Sequence, residues 1–506
     1  MKYKKSDVPD FRKAEGSAFS LKGRMLRQAV VRKSVKSLTG DIEDLRSLSC
    51  LADSDIQSSQ LRLFLSGLMQ DVDRKEGMAT LFARLGSSIN RQAKKKLIGN
   101  LIYNWGYVGE KIRYRFASYE QWLPGTLVIS PTMRCNLHCT GCYSGLYEKA
   151  GDLNEEEIDS ILDQARKLGI YFVVVSGGEP YVLKDMWLRL FRKYSDMYFL
   201  TFTNGTFIDR ETARALGKLG NVAPAISVEG YAAETDERRG KGVHAKVINA
   251  MHNLREEGVL FGTSVTYTRK NIDTITSDEF IKYYIDQGAI FSWFFMFMPV
   301  GKDPILDLVP SPEQRLMTGR KIADLRKRLP IFLADFWNDG PAVGGCLAGG
   351  RSYLHILSSG QVEPCVFAHF GIDNIREKPL IEVVNSPFFK AIRNRYPYSD
   401  NANLMRPCMI IDNPEVLRSV VAEYLVPEGH PHSEDLIHDP DVISWIDIYA
   451  QAFKELTDPI WNERIADEKY RWYKEGKEYP RLFWFRRQAA NIKPADPVEE
   501  MVMQEK

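Results

Sequence analysis

Between Thr126 and Arg328 the chain repeats one pattern six times: a short apolar run, then a segment with apolar residues at helical spacing. "TLVISPT" precedes "LNEEEIDSILDQARKLG", "FVVVSGG" precedes "DMWLRLFRKY", and "YFLTFTNG" precedes "DRETARALGKL". "APAISVEG" precedes "KVINAMHNLREEG", "GTSVTYT" precedes "TSDEFIKYYIDQG", and "FSWFFMFMPVG" precedes "SPEQRLMTGRKIADLRKR". Most of these runs are apolar on both faces, as suits parallel strands covered by helices. The fold class is therefore α/β, a partial (β/α)6 TIM-type barrel over residues 126–330. Helical patterning over 20–118 predicts a helical N-terminal domain (1–125), with Asp53 to Gln60 as a connection. In barrels of this kind the chemistry sits at the C-terminal ends of the strands. Each unusual motif follows a strand: the cysteine loop, "SGGEP", "TNGT", "SVEG" and "MPVG". Local signals agree. Asn154 caps the first helix, Glu157 completes a capping box, and Gly169 stops it.

Seven cysteines stand at 50, 135, 139, 142, 346, 365 and 408. Three of them fall within "SPTMRCNLHCTGCYSG", Ser130 to Gly145, as CxxxCxxC. Structural zinc wants four closed ligands, and His138 would have to complete the set. An iron–sulfur cluster is the other option, because thiolates hold each iron. Three cysteines on one loop can hold three irons of a cubane and leave the fourth open to a substrate, which is a catalytic arrangement.

Cys135, Cys139, Cys142 and the aromatic Tyr143 resemble the signature of the radical S-adenosylmethionine (SAM) enzymes. The resemblance implies a [4Fe–4S] cluster whose open iron binds SAM. One electron then cleaves SAM to methionine and a 5′-deoxyadenosyl radical that abstracts hydrogen from substrate. Further matches at strand ends imply SAM contacts at Gly177, Gly178, Glu179 and Pro180 of "GGEP", and at Ser227 and Glu229 of "SVEG". Arg239 of "ERRGKG" falls where related enzymes place an arginine near the SAM carboxylate, and Arg238 is equally placed. Asn204 and the backbone near Met298 to Gly301 are further candidates. No catalytic residue of substrate chemistry is identified, and whether SAM is consumed or recycled is open.

Cys346, Gly360 and Cys365 form C-x13-G-x4-C, which resembles the opening of the auxiliary iron–sulfur domains called SPASM and twitch. A hairpin turning at Ser359–Gly360 would bring the two thiols to one side, with Cys408 as a third ligand. The implied unit is a small α+β twitch-like domain over 331–412, carrying an auxiliary iron–sulfur cluster. The chain departs from the family where Ile411 occupies the expected second position of a CxxC pair. Asp412, His369, His355, Cys50 or the substrate could supply the fourth ligand. The opposing reading is a degenerate domain with ordinary buried cysteines.

The net charge of +2 hides an asymmetry: residues 1–125 hold 23 Lys/Arg against 13 Asp/Glu, and the remainder 45 against 53. The basic third is read first as a solvated helical surface, then as a partner surface for anionic lipid, acidic peptide or nucleic acid. No apolar run approaches a membrane span of roughly 18 residues, and the first 24 residues lack a signal-like apolar core. A cytoplasmic protein is expected, with peripheral membrane contact as an addition. Residues 413–506 form a helical extension whose end, "YRWYKEGKEYPRLFWFRRQ", reads as an amphipathic closing helix, with a membrane surface or nucleic acid as alternatives. "FSWFFMFMP" reads as a core strand before it reads as a pocket wall. Asp339, in the Gly- and Pro-rich "FWNDGPAVGG", could face the active site.

The preferred substrate is a small molecule or a lipid-linked compound. A peptide-modifying maturase is the alternative, and a non-enzymatic iron–sulfur or zinc scaffold is more remote. The expected redox partner is an electron donor of flavodoxin or ferredoxin type, and nucleic acid is not expected.

Overall fold

The computed structural model describes residues 21–51, 68–117, 119–301, 305–430 and 432–466. The connection at 53–60, the aromatic and basic C-terminal stretch and the side chain of Cys50 lie outside the described residues.

The six expected strands form. They are β1 (Thr126–Ile129), β2 (Phe172–Val175), β3 (Tyr198–Thr203), β4 (Val222–Val228), β5 (Gly262–Tyr267) and β6 (Phe291–Met296). All pair in parallel and in sequence order. Helix Glu155–Lys167 opens on the expected box, Asn154 Oδ1 accepting from Glu157 N at 2.9 Å while Glu157 Oε2 accepts from Asn154 N at 2.9 Å. It ends at Gly169, which sits at φ +77°. The apolar stripe Ile158, Ile161, Leu162, Ala165 and Leu168 is fully buried, at about 2 kcal/mol for each large side chain withdrawn from water.

Sequence reading missed a seventh parallel strand, β7 (Phe332–Asp335), which pairs with β6. The strand is only four residues long and ends in Asp335, and its first residue, Phe332, is exposed. The hairpin predicted at Ser359–Gly360 is present as β8 (Tyr353–Ile356) and β9 (Gln361–Glu363), and β10 (Asp373–Asn374) pairs with β9. Strand β8 joins β1 in parallel register, Thr126 opposite Tyr353 and Ile129 opposite Ile356. One ten-stranded sheet thus carries both cysteine sets, in the order β10-β9-β8-β1-β2-β3-β4-β5-β6-β7.

The N-terminal helices cover the rim opposite the cysteine loop, bonding to the turns that lead into strands. Asn100 Nδ2 donates to Met197 O (2.9 Å), just before β3, and Asn90 Nδ2 to Glu257 O (2.8 Å), before β5. Arg84 donates to Ala289 O (2.7 Å), before β6. Lys94, Lys96 and Arg113 likewise spend hydrogen bonds on main-chain carbonyls. Part of the basic charge of this third is therefore spent within the fold, on main-chain carbonyls. No helix among the described residues is long and apolar enough to cross a membrane.

Candidate active site

A chamber of about 970 Å³ runs through the barrel, from the loop after β1 to the N-terminal ends of the strands. Cys135, Cys139 and Cys142 line one end of it. Burial pushes the Cys135 and Cys139 thiols up, and Arg239 and Arg238 pull Cys139 back. Loading iron must therefore release protons, which couples cluster binding to pH. A zinc site would gather its thiols to about 2.3 Å of one point. Among the described residues no three Cys, His, Asp or Glu side chains are gathered around one such point.

The strand-end motifs surround this loop. Gly177, at φ +115°, and Gly178 line the chamber. A Cβ on Gly177 would strike Thr132 O, and one on Gly178 would strike Arg134 O. Only glycines let the β2 turn lie against the cysteine loop, as Gly178 N does in donating to Thr132 O at 3.0 Å. Tyr143 lines the chamber, shares a 3.0 Å hydrogen bond with Ser176 Oγ, and packs edge-on against Phe367. Asn204 and Ser227 line it too, and Asn204 Nδ2 stands 3.8 Å from Cys135 Sγ. Met298 is also in the wall.

Three expected contacts fall elsewhere. Glu179 is fully buried behind the wall, accepting from Asn204 N (2.7 Å), Thr203 Oγ1 (2.8 Å) and Tyr181 N (3.0 Å). Burial raises its pKa to about 7 against those donors. It braces the ends of β2 and β3, and neither it nor Pro180 is in the chamber wall. Glu229 is likewise outside the wall, and its carboxylate is taken by two arginines. Arg238 Nη1 donates at 2.6 Å, and Arg239 donates from Nε at 2.5 Å and Nη2 at 2.7 Å. Burial opposes its charge, but Arg239 and Arg238 prevail and hold it below the usual carboxylate range. Both arginines line the chamber, and Arg239 Nη1 is 4.0 Å from Cys139 Sγ.

The late cysteines converge. Cys346, Cys365 and Cys408 line a single small cavity, which shares Phe336, Leu347 and Phe367 with the main chamber. Burial pushes Cys346 up to about 12 and raises Cys365 and Cys408. Three thiols around one space fit an iron–sulfur cluster on chemical grounds. Three of the candidate fourth ligands are engaged elsewhere. Asp412 is in a buried bidentate pair with Arg315 (2.5 and 3.1 Å), His355 lies between Ser130 and Glu363, and His369 is bonded to His430. Among the described residues no further Cys, His, Asp or Glu lines that cavity.

Residues 129–281 match the radical SAM superfamily, and residues 346–409 match SPASM, described as an iron-sulfur cluster-binding domain. The chain carries a radical SAM domain and a SPASM iron–sulfur domain. These domains imply a [4Fe–4S] cluster with SAM and auxiliary iron–sulfur, and the two thiol sets just described are the candidates to hold them. Among relatives, it is 30% identical over 175 residues to the Fe-coproporphyrin III synthase of Methanosarcina barkeri (34% of this chain, 44% of that protein). It is 30% identical over 249 residues to the mycofactocin maturase MftC of Mycolicibacterium smegmatis (47% and 63%). It is 25% identical over 285 residues to the PqqA peptide cyclase of Gluconobacter oxydans (53% and 79%). The chain thus spans less than two thirds of the length of the first two.

Other residues of the chamber carry no sequence signal. Trp105, from the N-terminal helices, lines it from the opposite rim, with Nε1 donating to Gly125 O at 2.7 Å. Strand β6, expected as core, is divided: Phe294 is fully buried, while Trp293 and Phe295 face the chamber. Asp339 does line it, both its carboxylate oxygens accepting from Arg326 Nη2, at 2.8 and 2.9 Å.

Proposed function

We propose that this radical SAM enzyme abstracts hydrogen from a peptide whose reacting residue enters the chamber. One observation carries the reading: the cysteine loop, the β2 glycines and Arg239 open onto the same apolar space. When bound, cluster and SAM supply reductive cleavage and the hydrogen-abstracting carbon. The chain's own residues do the rest. Gly177 and Gly178 admit the cofactor to the backbone, and Asn204 and Ser227 offer polar contacts beside it. Glu229 fixes Arg238 and Arg239, which offer positive charge to a carboxylate. Trp105, Trp293 and Phe295 exclude water from a reactive intermediate.

A peptide is preferred to a lipid-linked substrate for two reasons. Two relatives are named a maturase and a peptide cyclase. The basic side chains behind a lipid reading are partly spent on barrel carbonyls. A small-molecule reading keeps one support of its own, the relative named for a coproporphyrin product. Reconstituted enzyme with SAM and a low-potential donor of flavodoxin or ferredoxin type should modify members of a peptide library, read as hydrogen loss or cross-linking by mass spectrometry. Turnover of a porphyrin and of no peptide would favour the small-molecule reading.

A further inference from the structure

Six cationic side chains stand in the chamber wall: Arg134, Lys149, Arg238, Arg239, Arg326 and Arg351. Arg134 is bound to Asp152, Arg238 and Arg239 to Glu229, and Arg326 to Asp339. Lys149 donates to Ser144 O at 3.0 Å. Arg351 differs. It is 4% exposed, and its two terminal nitrogens are buried with no hydrogen-bond partner.

Its position is nevertheless fixed. Nε donates to Cys346 O, and the guanidinium lies 4.5 Å from the centre of the Tyr396 ring. Its main chain is pinned from both sides, N to Ala348 O (3.2 Å) and O from Trp122 Nε1 (2.8 Å). A guanidinium cannot shed its charge, so a buried one without an anion is costly unless something supplies the anion. No late thiol hydrogen-bonds the terminal nitrogens. The wall's own carboxylate, Asp339, is already bound to Arg326.

We propose that Arg351 is the anchor for a carboxylate of the substrate, held at the end of the chamber beside β8, away from the Cys135 loop. Two parallel terminal N–H groups suit a carboxylate in bidentate contact. The aromatic walls suit an apolar body attached to it. For a peptide substrate the anion is an acidic side chain or the C-terminus, and for a small molecule it is an acid group. This inference rests on the reading of the chamber as the substrate site, and it sets how deep the substrate sits and which end faces the radical.

Calorimetry on anaerobically reconstituted enzyme saturated with SAM and left unreduced, so that Arg238 and Arg239 are already occupied, tests it with 2-naphthoate and its neutral isostere 2-naphthamide and without a known substrate. Wild type should bind the naphthoate at least about tenfold more tightly. Arg351→Met should remove that preference while leaving the naphthamide affinity unchanged, and Arg351→Lys should restore part of it. No preference in wild type overturns the proposal, whatever the variants do. So does a preference that survives in Arg351→Met, or an equal loss of both ligands there. A naphthoate preference in an enzyme that forms no 5′-deoxyadenosine would keep the anion site and remove the radical reading.

Discussion

Arg239 clasps Glu229 with two hydrogen bonds, at 2.5 and 2.7 Å, and turns its remaining terminal nitrogen to within 4.0 Å of Cys139 Sγ. The carboxylate is nearly sequestered from solvent. It lies behind the arginine and outside the chamber wall, and we propose that it acts as a positioning residue, where sequence alone put it on the SAM ribose.

Glu229→Gln keeps the shape and removes the charge that orients Arg238 and Arg239. SAM affinity should fall by about tenfold, or about 1.4 kcal/mol, while iron content stays at the wild-type level. Calorimetric titration of SAM alongside an iron assay separates this outcome from loss of the cluster.

Arg315 and Asp412 form an ion pair with no solvent exposure, and Asp412 Oδ2 also accepts from Cys408 N at 2.9 Å. Asp412→Ala leaves Arg315 buried without its anion, a loss of about 3–5 kcal/mol. It also frees the loop bearing Cys408. The expected result is a lower melting temperature and loss of the auxiliary share of iron, with the Cys135-loop cluster retained in the electron paramagnetic spectrum.

Asp335, at the end of β7, is fully buried beside Asp339. Burial, then that neighbour, raises its pKa to about 6. In the unfolded chain the carboxyl titrates near 4, so between those values the folded state holds the extra proton. Stability must then fall as pH rises from about 4 to about 6 and level off above. Asp335→Asn removes this slope. Melting temperatures of variant and wild type between pH 5 and 7 should diverge in the variant's favour as pH rises.

Much of the framework was legible because its signals are local. The Asn154–Glu157 box, the glycine after the first helix and the apolar strand runs each act within a few residues. The cysteine spacing and "GGEP" are legible for the same reason, since one turn must pass close to one loop. What was not legible depends on distant partners. Trp105 reaches the chamber only because the N-terminal helices seat on the turns before the strands. Arg351 is notable only for lacking the acid that every other arginine of the wall has found. The aromatic strand β6 looked like core because period-two alternation cannot show that one face borders a chamber. Glu229 looked like a ligand because the arginines that the helix Ala232–Arg239 returns to it are nine and ten residues on.

The central claim is that the cluster at Cys135, Cys139 and Cys142 cleaves SAM. Anaerobically reconstituted enzyme should yield 5′-deoxyadenosine from SAM and dithionite. The Cys135→Ala/Cys139→Ala/Cys142→Ala variant should yield none, while keeping the iron held by Cys346, Cys365 and Cys408. Wild-type protein with its full iron and no 5′-deoxyadenosine, or a triple variant that still produces it, would contradict the account.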